Sequence, residues 1–219
     1  MRFLKENNKL AVTLFALGSF ALSVLYLDKF LLSWTRELNN CNSYICTLLH
    51  TLYPFISYVS NGLSFIGIII VLFILAKFYN KRFYEVNTSL CAGFAATGIV
   101  AQLLKHLIGR ARPKLTDNFV VIGPSWESKY DSIPSGHTAM AFCFAAILSE
   151  YYPKYRALFY LLAVLVGAGR LKVPSHFLSD VVAGAVIGLF IGKAAFKYCK
   201  LFINKRKTIN PALMGSHPS

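Results

Sequence analysis

Negative charge is scarce in this chain. Nine Asp and Glu stand against 23 Lys and Arg in 219 residues, a formal net charge of +14. Acids this sparse offer little with which to cage magnesium or calcium. Zinc spacing is lacking too: Cys41, Cys46, Cys91, Cys143 and Cys199 form no ligand set with the histidines. No metal and no cofactor is expected. Internal repeats and low-complexity segments are absent. So is a cleavable-looking leader: Leu10–Leu27 runs uncharged, without a small-residue cleavage site before Asp28, and reads as a retained span.

Apolar residues are abundant. The hydrophobic fraction is 56% and the mean hydropathy is +0.53, which places a membrane protein ahead of a soluble domain. A basic balance fits nucleic acid, an anionic membrane face or an anionic substrate. The long apolar runs exclude nucleic acid and leave the other two. Cys91 and Cys143 lie in apolar runs and read as small buried hydrophobes. Cys41 and Cys46 fall in a segment placed outside, where an oxidising compartment would permit a disulfide that the sequence neither requires nor excludes.

Six spans are expected, over residues 10–27, 58–76, 86–104, 136–151, 157–171 and 179–197, within one domain covering 1–219. The first is roughly 27 Å long at helical rise, enough to cross a hydrocarbon core. The fifth and sixth are short between their charges, and Arg156 and Lys193 would lengthen them by snorkelling. With the N-terminus inside, 14 of the 23 Lys and Arg fall on inner segments and nine on outer ones. The bias of cations to the inner side therefore puts both termini in the cytoplasm. Residues 28–57 and 113–134 become outer loops. The first would hold an interfacial helix, with Trp34 and Tyr53 at headgroup level and Pro54 ending it. The basic tail from Asn204 reads as a solvated end beside anionic lipid.

Six of the nine outer cations, Lys105, Arg110, Arg112, Lys114, Arg170 and Lys172, lie close to the ends of two spans. Something anionic on that face would explain them. Three stretches meet there. In KHLIGRARP, Lys105 and Arg112 are two helical turns apart and share a face if the helix persists to Pro113. In PSGH, Ser135 can cap the following helix, Gly136 lets backbone approach a ligand, and a helix N-terminus suits a phosphate. In GRLKVPSHFLSD, His176 and Asp180 stand four apart and can touch on one helical face. A carboxylate on one ring nitrogen would leave the other free as a nucleophile. Each stretch alone has a plainer reading, as snorkelling cations, a helix cap or a salt-bridged cap. Together, on one side of a membrane, they describe an anion site.

The order of Lys105 with Arg112-Pro113, then Pro134-Ser135-Gly136-His137, then Arg170, His176 and Asp180, resembles the type 2 phosphatidic acid phosphatase superfamily. One position departs: Gly169 stands where the family often has Ser, which removes one phosphate hydrogen bond. The resemblance implies an all-α membrane protein with a helical core of that type. It implies that Lys105, Arg112, Arg170, Ser135 and the Gly136 N–H bind phosphate. It implies that His176 attacks phosphorus, Asp180 orients His176, and His137 protonates the leaving oxygen and then activates water. Arg110, Lys114 and Lys172 lie outside the motif and are assigned to headgroup or interfacial contact. His106 would point about 100° from Lys105 on a helix and is left out.

The expected function is a metal-independent lipid phosphatase working through a phosphohistidine at the periplasmic face of a bacterial inner membrane. Lipid A, undecaprenyl pyrophosphate and phosphatidylglycerophosphate are the candidate substrates. A phosphotransferase using an alcohol acceptor shares every catalytic residue. A lipid-binding or transport protein on the same scaffold would do without His176.

Overall fold

The computed structural model describes residues 23–39, 81–172 and 175–209, with single helical positions at Gly18, Ala21, Gly67 and Val71. Most of the expected span 10–27, and nearly all of 58–76, fall outside the described residues. So do Cys41, Cys46, Tyr53, Pro54 and the tail beyond Ile209.

One π-helical turn, Ser23–Leu27, leads into α1, Asp28–Asn39. Then come α2, Lys81–Ile108, α3, Gly136–Tyr151, α4, Arg156–Lys172, and α5, Leu178–Ile209. Short 3-10 turns lie at Ser128–Tyr130 and Pro153–Tyr155. Among the described residues there is no strand, only an isolated antiparallel bridge between Arg110 and Val121. The last helix runs on well past residue 197, the expected end of the sixth span.

The third helix is the centre of the bundle, packed against α5, α4 and α2. Val86, Leu90 and Phe94 of α2 meet Cys143, Ile147 and Tyr151 of α3 in one buried cluster, flanked by Ala195 and Phe196 of α5. Ala141 and Ala145 meet Ala163 of α4 in another. Cys143 is fully buried there, while Cys91 is half-buried.

Small residues let α5 lie close on α3. A β-carbon at Gly188 would stand 2.2 Å from the Ala139 carbonyl oxygen, and one at Gly184 2.5 Å from that of Ser135. With Gly192 they form a stripe at four-residue spacing, the pattern by which helices approach to backbone contact. The outward faces remain apolar: Ile99, Leu103 and Leu107 of α2, Leu161 and Leu165 of α4, and Phe190 of α5 are all exposed. Two helices among the described residues, Arg82–Ile108 and Leu178–Lys205, are long and apolar enough to cross a membrane.

Candidate active site

The second helix stops at Ile108. Gly109 has a φ of +62°, and a β-carbon there would collide with the Gly123 carbonyl, so glycine is required at this turn. Lys105 therefore sits in the last helical turn and Arg112 beyond it, not on a shared helical face. The chain after Gly109 is held from both sides: Ala111 N–H donates to Val120 O at 3.0 Å and Arg112 N–H to Lys129 O at 3.0 Å. Arg112 and Lys105 nonetheless meet on one carboxylate. Arg112 Nε donates to Asp131 Oδ1 at 2.6 Å, and Lys105 Nζ lies 3.5 Å from Asp131 Oδ2. Asp131 was not singled out by the motif spacing.

Ser135 occupies the cap position of α3, as its spacing suggested, but its side chain makes no capping bond. Its hydroxyl instead accepts from Thr138 Oγ1 at 3.0 Å, and its N–H donates to the Asp180 carbonyl at 3.0 Å. The cap is thus tied to the start of α5, and Ser135 is fully buried. Gly136 faces open space: a β-carbon there would meet nothing within 4 Å. His137 follows in the first turn, within electrostatic reach of Arg170, His176, Lys105 and Arg112. Arg170, near the end of α4, is 8% exposed. Three cations and two histidines from four segments are therefore gathered at one end of the bundle.

His176 precedes α5 instead of lying on it. Its Nδ1 is 2.8 Å from the Ser132 carbonyl oxygen and 3.7 Å from Asp180 Oδ2. The carbonyl accepts only, so Nδ1 carries a proton, and in the neutral ring Nε2 is then the nitrogen with the lone pair. Ser132 thus takes the orienting bond expected of Asp180. Asp180 acts on the ring through its charge across the longer distance. Its Oδ2 accepts from Ser132 Oγ at 2.5 Å and from Phe177 N–H at 2.8 Å. Burial pushes the His176 imidazole below its ordinary value; Asp180 opposes this, and Lys105 and Arg170 add to it.

Arg110 does not face a headgroup. It is 1% exposed, donates to Asp180 Oδ1, to Ser179 Oγ at 2.5 Å and to Asp28 Oδ2 at 2.8 Å, and lies between the rings of Phe119 and Phe177. Its charge belongs inside because two buried carboxylates need a partner. Spacing alone could not find this, since Asp28 is 82 residues away. Lys114 is exposed and lines a surface cavity with Arg112, Leu115, Ser128 and Lys129. Lys172 closes α4, and its side chain lies outside the described residues. His106 points away from the cluster: its Nδ1 is 3.0 Å from Ser125 O and its ring lies on Trp126. Among the described residues no group of three or more His, Cys, Asp or Glu is placed to hold a metal ion.

Residues 87–203 match the family model described as the PAP2 superfamily. A lipid A 1-phosphatase of Rhizobium johnstonii is 39% identical over 98 residues, which are 42% of this chain and 39% of that protein. The chain thus spans about two fifths of that relative's length. The crystal structure of Aquifex aeolicus LpxE is similar at a TM-score of 0.53 and 26% identity, over 76% of this chain and 94% of that one. That of a transmembrane PAP2 type phosphatidylglycerolphosphate phosphatase from Bacillus subtilis gives 0.63 at 22% identity, over 90% of this chain and 96% of that one, a likeness of fold.

Proposed function

The chain belongs to the PAP2 superfamily, and from that membership we propose that it is a lipid phosphatase working through a phosphohistidine. The observation that carries this is a buried histidine, oriented through its Nδ1, close to three cations. His176 has its Nδ1 proton held by the Ser132 carbonyl, while Lys105, Arg112 and Arg170 bear on the neighbouring His137.

In this reading Lys105, Arg112 and Arg170 bind the phosphate oxygens, with the Gly136 N–H at the start of α3 and the Ser135 hydroxyl. The cations offset the charge on the equatorial oxygens in the transition state, which is the part a metal would otherwise play. The Nε2 lone pair of His176 forms the nitrogen–phosphorus bond. The bond from phosphorus to the leaving oxygen breaks, its electron pair stays with that oxygen, and protonated His137 supplies the proton. Neutral His137 then takes a proton from water as the water oxygen attacks phosphorus. The nitrogen–phosphorus bond breaks, returning phosphate and the free imidazole.

The exposed apolar faces of α2, α4 and α5 suit acyl chains, so we place the whole chain, 1–219, in a bacterial inner membrane as one six-span domain. Both termini lie in the cytoplasm and the site faces the periplasm, as the distribution of Lys and Arg supports. Lys114 and Lys172 are assigned to the lipid headgroup. Lipid A, undecaprenyl pyrophosphate and phosphatidylglycerophosphate remain the candidate substrates. The likeness to a lipid A 1-phosphatase favours the first.

The test is phosphate release from these three lipids by the purified protein with EDTA present. Release from a lipid, abolished in His176→Ala, is the expected result. Loss of all activity to EDTA would overturn the metal-free chemistry. Activity on soluble sugar phosphates alone would overturn the lipid assignment, and transfer only to an added alcohol would make the protein a transferase.

A further inference from the structure

The buried charges behind His176 do not end at Asp180. Asp180 pairs with Arg110, and Arg110 pairs with Asp28 of α1. Asp28 Oδ1 accepts from Ser179 N–H at 2.8 Å, and its Oδ2 from Ser179 Oγ at 2.5 Å. Asp28, Arg110 and Asp180 are 4%, 1% and 0% exposed. A small cavity places Asp28 and Leu32 of α1 opposite His176 and Phe177.

The charges do not cancel at rest. Two carboxylates share one guanidinium, which leaves one buried negative charge. Such a residue of charge is costly unless something answers it. When Nε2 bonds to phosphorus and Nδ1 keeps its proton, the ring becomes cationic and the group becomes neutral. Without Asp28, Arg110 would match Asp180 by itself, and the cationic ring would have no counter-charge.

We propose that Asp28, acting through Arg110, sets how strongly Asp180 supports a cationic ring at His176, so that Asp28 and Arg110 are positioning residues of the phosphoryl-transfer step. This rests on the phosphohistidine reading. Of the charged and titratable groups around His176, Asp180 of α5, Lys105 of α2 and Arg170 of α4 act on it directly, His137 of α3 is coupled to it, Asp28 of α1 lines the same small cavity, and Arg110 after α2 reaches it through Asp180. Asp28 contacts Arg110 and Ser179, neither of which is assigned to phosphate, so its charge can be changed without removing a phosphate ligand.

The test is Asp28→Asn, which keeps an acceptor oxygen and removes the charge. At saturating substrate kcat falls by about ten-fold or more while KM stays within about two-fold. The acid limb of kcat/KM moves to lower pH, because the ring is easier to keep neutral. Nitrogen NMR of labelled histidine in micelles reads the same shift directly on His176. Asp28→Glu, which displaces the charge by one methylene, falls between wild type and Asp28→Asn, and gives the reading if the Asn variant does not fold. Arg36→Ala, which removes the hydrogen bonds from α1 to Asp117 and to the Pro113 carbonyl, leaves the His176 titration in place. An unmoved titration in the Asp28 variants would overturn the coupling, as would a shift of equal size in Arg36→Ala. Absence of phosphate release from the wild-type protein would instead sink the phosphatase reading, and the ring titration would still decide the coupling.

Discussion

At the scale of single residues, the two histidines are prepared by different neighbours. His176 has a backbone carbonyl on Nδ1 and a carboxylate behind it. Its protonation is pushed below the ordinary range, chiefly by burial. Attack needs the neutral ring, and lowering the pKa keeps the ring neutral to lower pH. Under the proposed mechanism the acid limb of kcat/KM should therefore lie below the ~6.5 of a free imidazole. A limb at or above that value would contradict the burial. Replacing His137 with Asn should cut kcat by roughly 10²- to 10⁴-fold, the usual worth of a general acid–base group. A substrate with an acidic leaving group should recover the first step, because that oxygen departs without a proton. Asp131 makes a third case. It holds Arg112 and Lys105, so Asp131→Asn should tighten inhibition by inorganic phosphate a few-fold, on the order of 1 kcal/mol. Weaker inhibition would mean that the carboxylate aims the two cations.

These residues were not equally legible. Lys105, Arg112, Ser135, Gly136, His137, Arg170, His176 and Asp180 could be picked out because their spacing forms a motif. Ser132, Asp131 and Asp28 could not. A backbone carbonyl carries no sequence signal, and a buried pair 82 residues apart leaves none either. Arg110 was noticed for its charge and misassigned for the same reason: an arginine near a helix end looks interfacial until its partners are seen.

At the scale of elements, the seam between α3 and α5 carries the site. Gly184 and Gly188 bring α5 against the Ser135 and Ala139 carbonyls, and Ser135 N–H bonds back to the Asp180 carbonyl. The cap preceding His137 and the acid behind His176 are thus parts of one joint. Gly188→Ala should cost about 1–3 kcal/mol as an overpacked contact, read as a lower thermal midpoint. Gly136→Ala offers the contrast. With open space around its β-carbon it should leave the midpoint unchanged, yet reduce phosphate release where backbone must approach the phosphate. Apolar runs mark the places of α2 to α5, the last two being short between their charges, while α1 has no such run and is legible only as an interfacial helix in 28–57. The glycines of AGAVIGLFIG, Ala183–Gly192, recur at four-residue spacing, but spacing alone does not say which helix they face. Pro113 is the stop that the sequence offers if the helix persists beyond the expected span 86–104. Gly109 stops it earlier, at a conformation only glycine holds without strain.

At the scale of the whole molecule, the proposed anion site lies at one end of a bundle whose sides are apolar. The proposed topology puts that end outside. A cysteine introduced at Lys129, which is exposed in the loop before α3, should react with a membrane-impermeant maleimide in intact spheroplasts. One placed at Lys154, between α3 and α4, should react only after lysis. The reverse pattern would invert the topology.

Under the proposed function, the carboxylate that bridges Arg112 and Lys105 would have a consequence for selection among lipids. A leaflet is crowded with phosphodiesters, each bearing one negative charge, and a bare cluster of cations would be occupied by them continually. Asp131 fills that role from within the chain. An incoming group must outcompete a tethered carboxylate, and a terminal phosphate monoester, with close to two charges and three free oxygens at neutral pH, does so better than a diester. The resting contact is in that sense a threshold, discriminating by charge state before any feature of the acyl chains or headgroup is read.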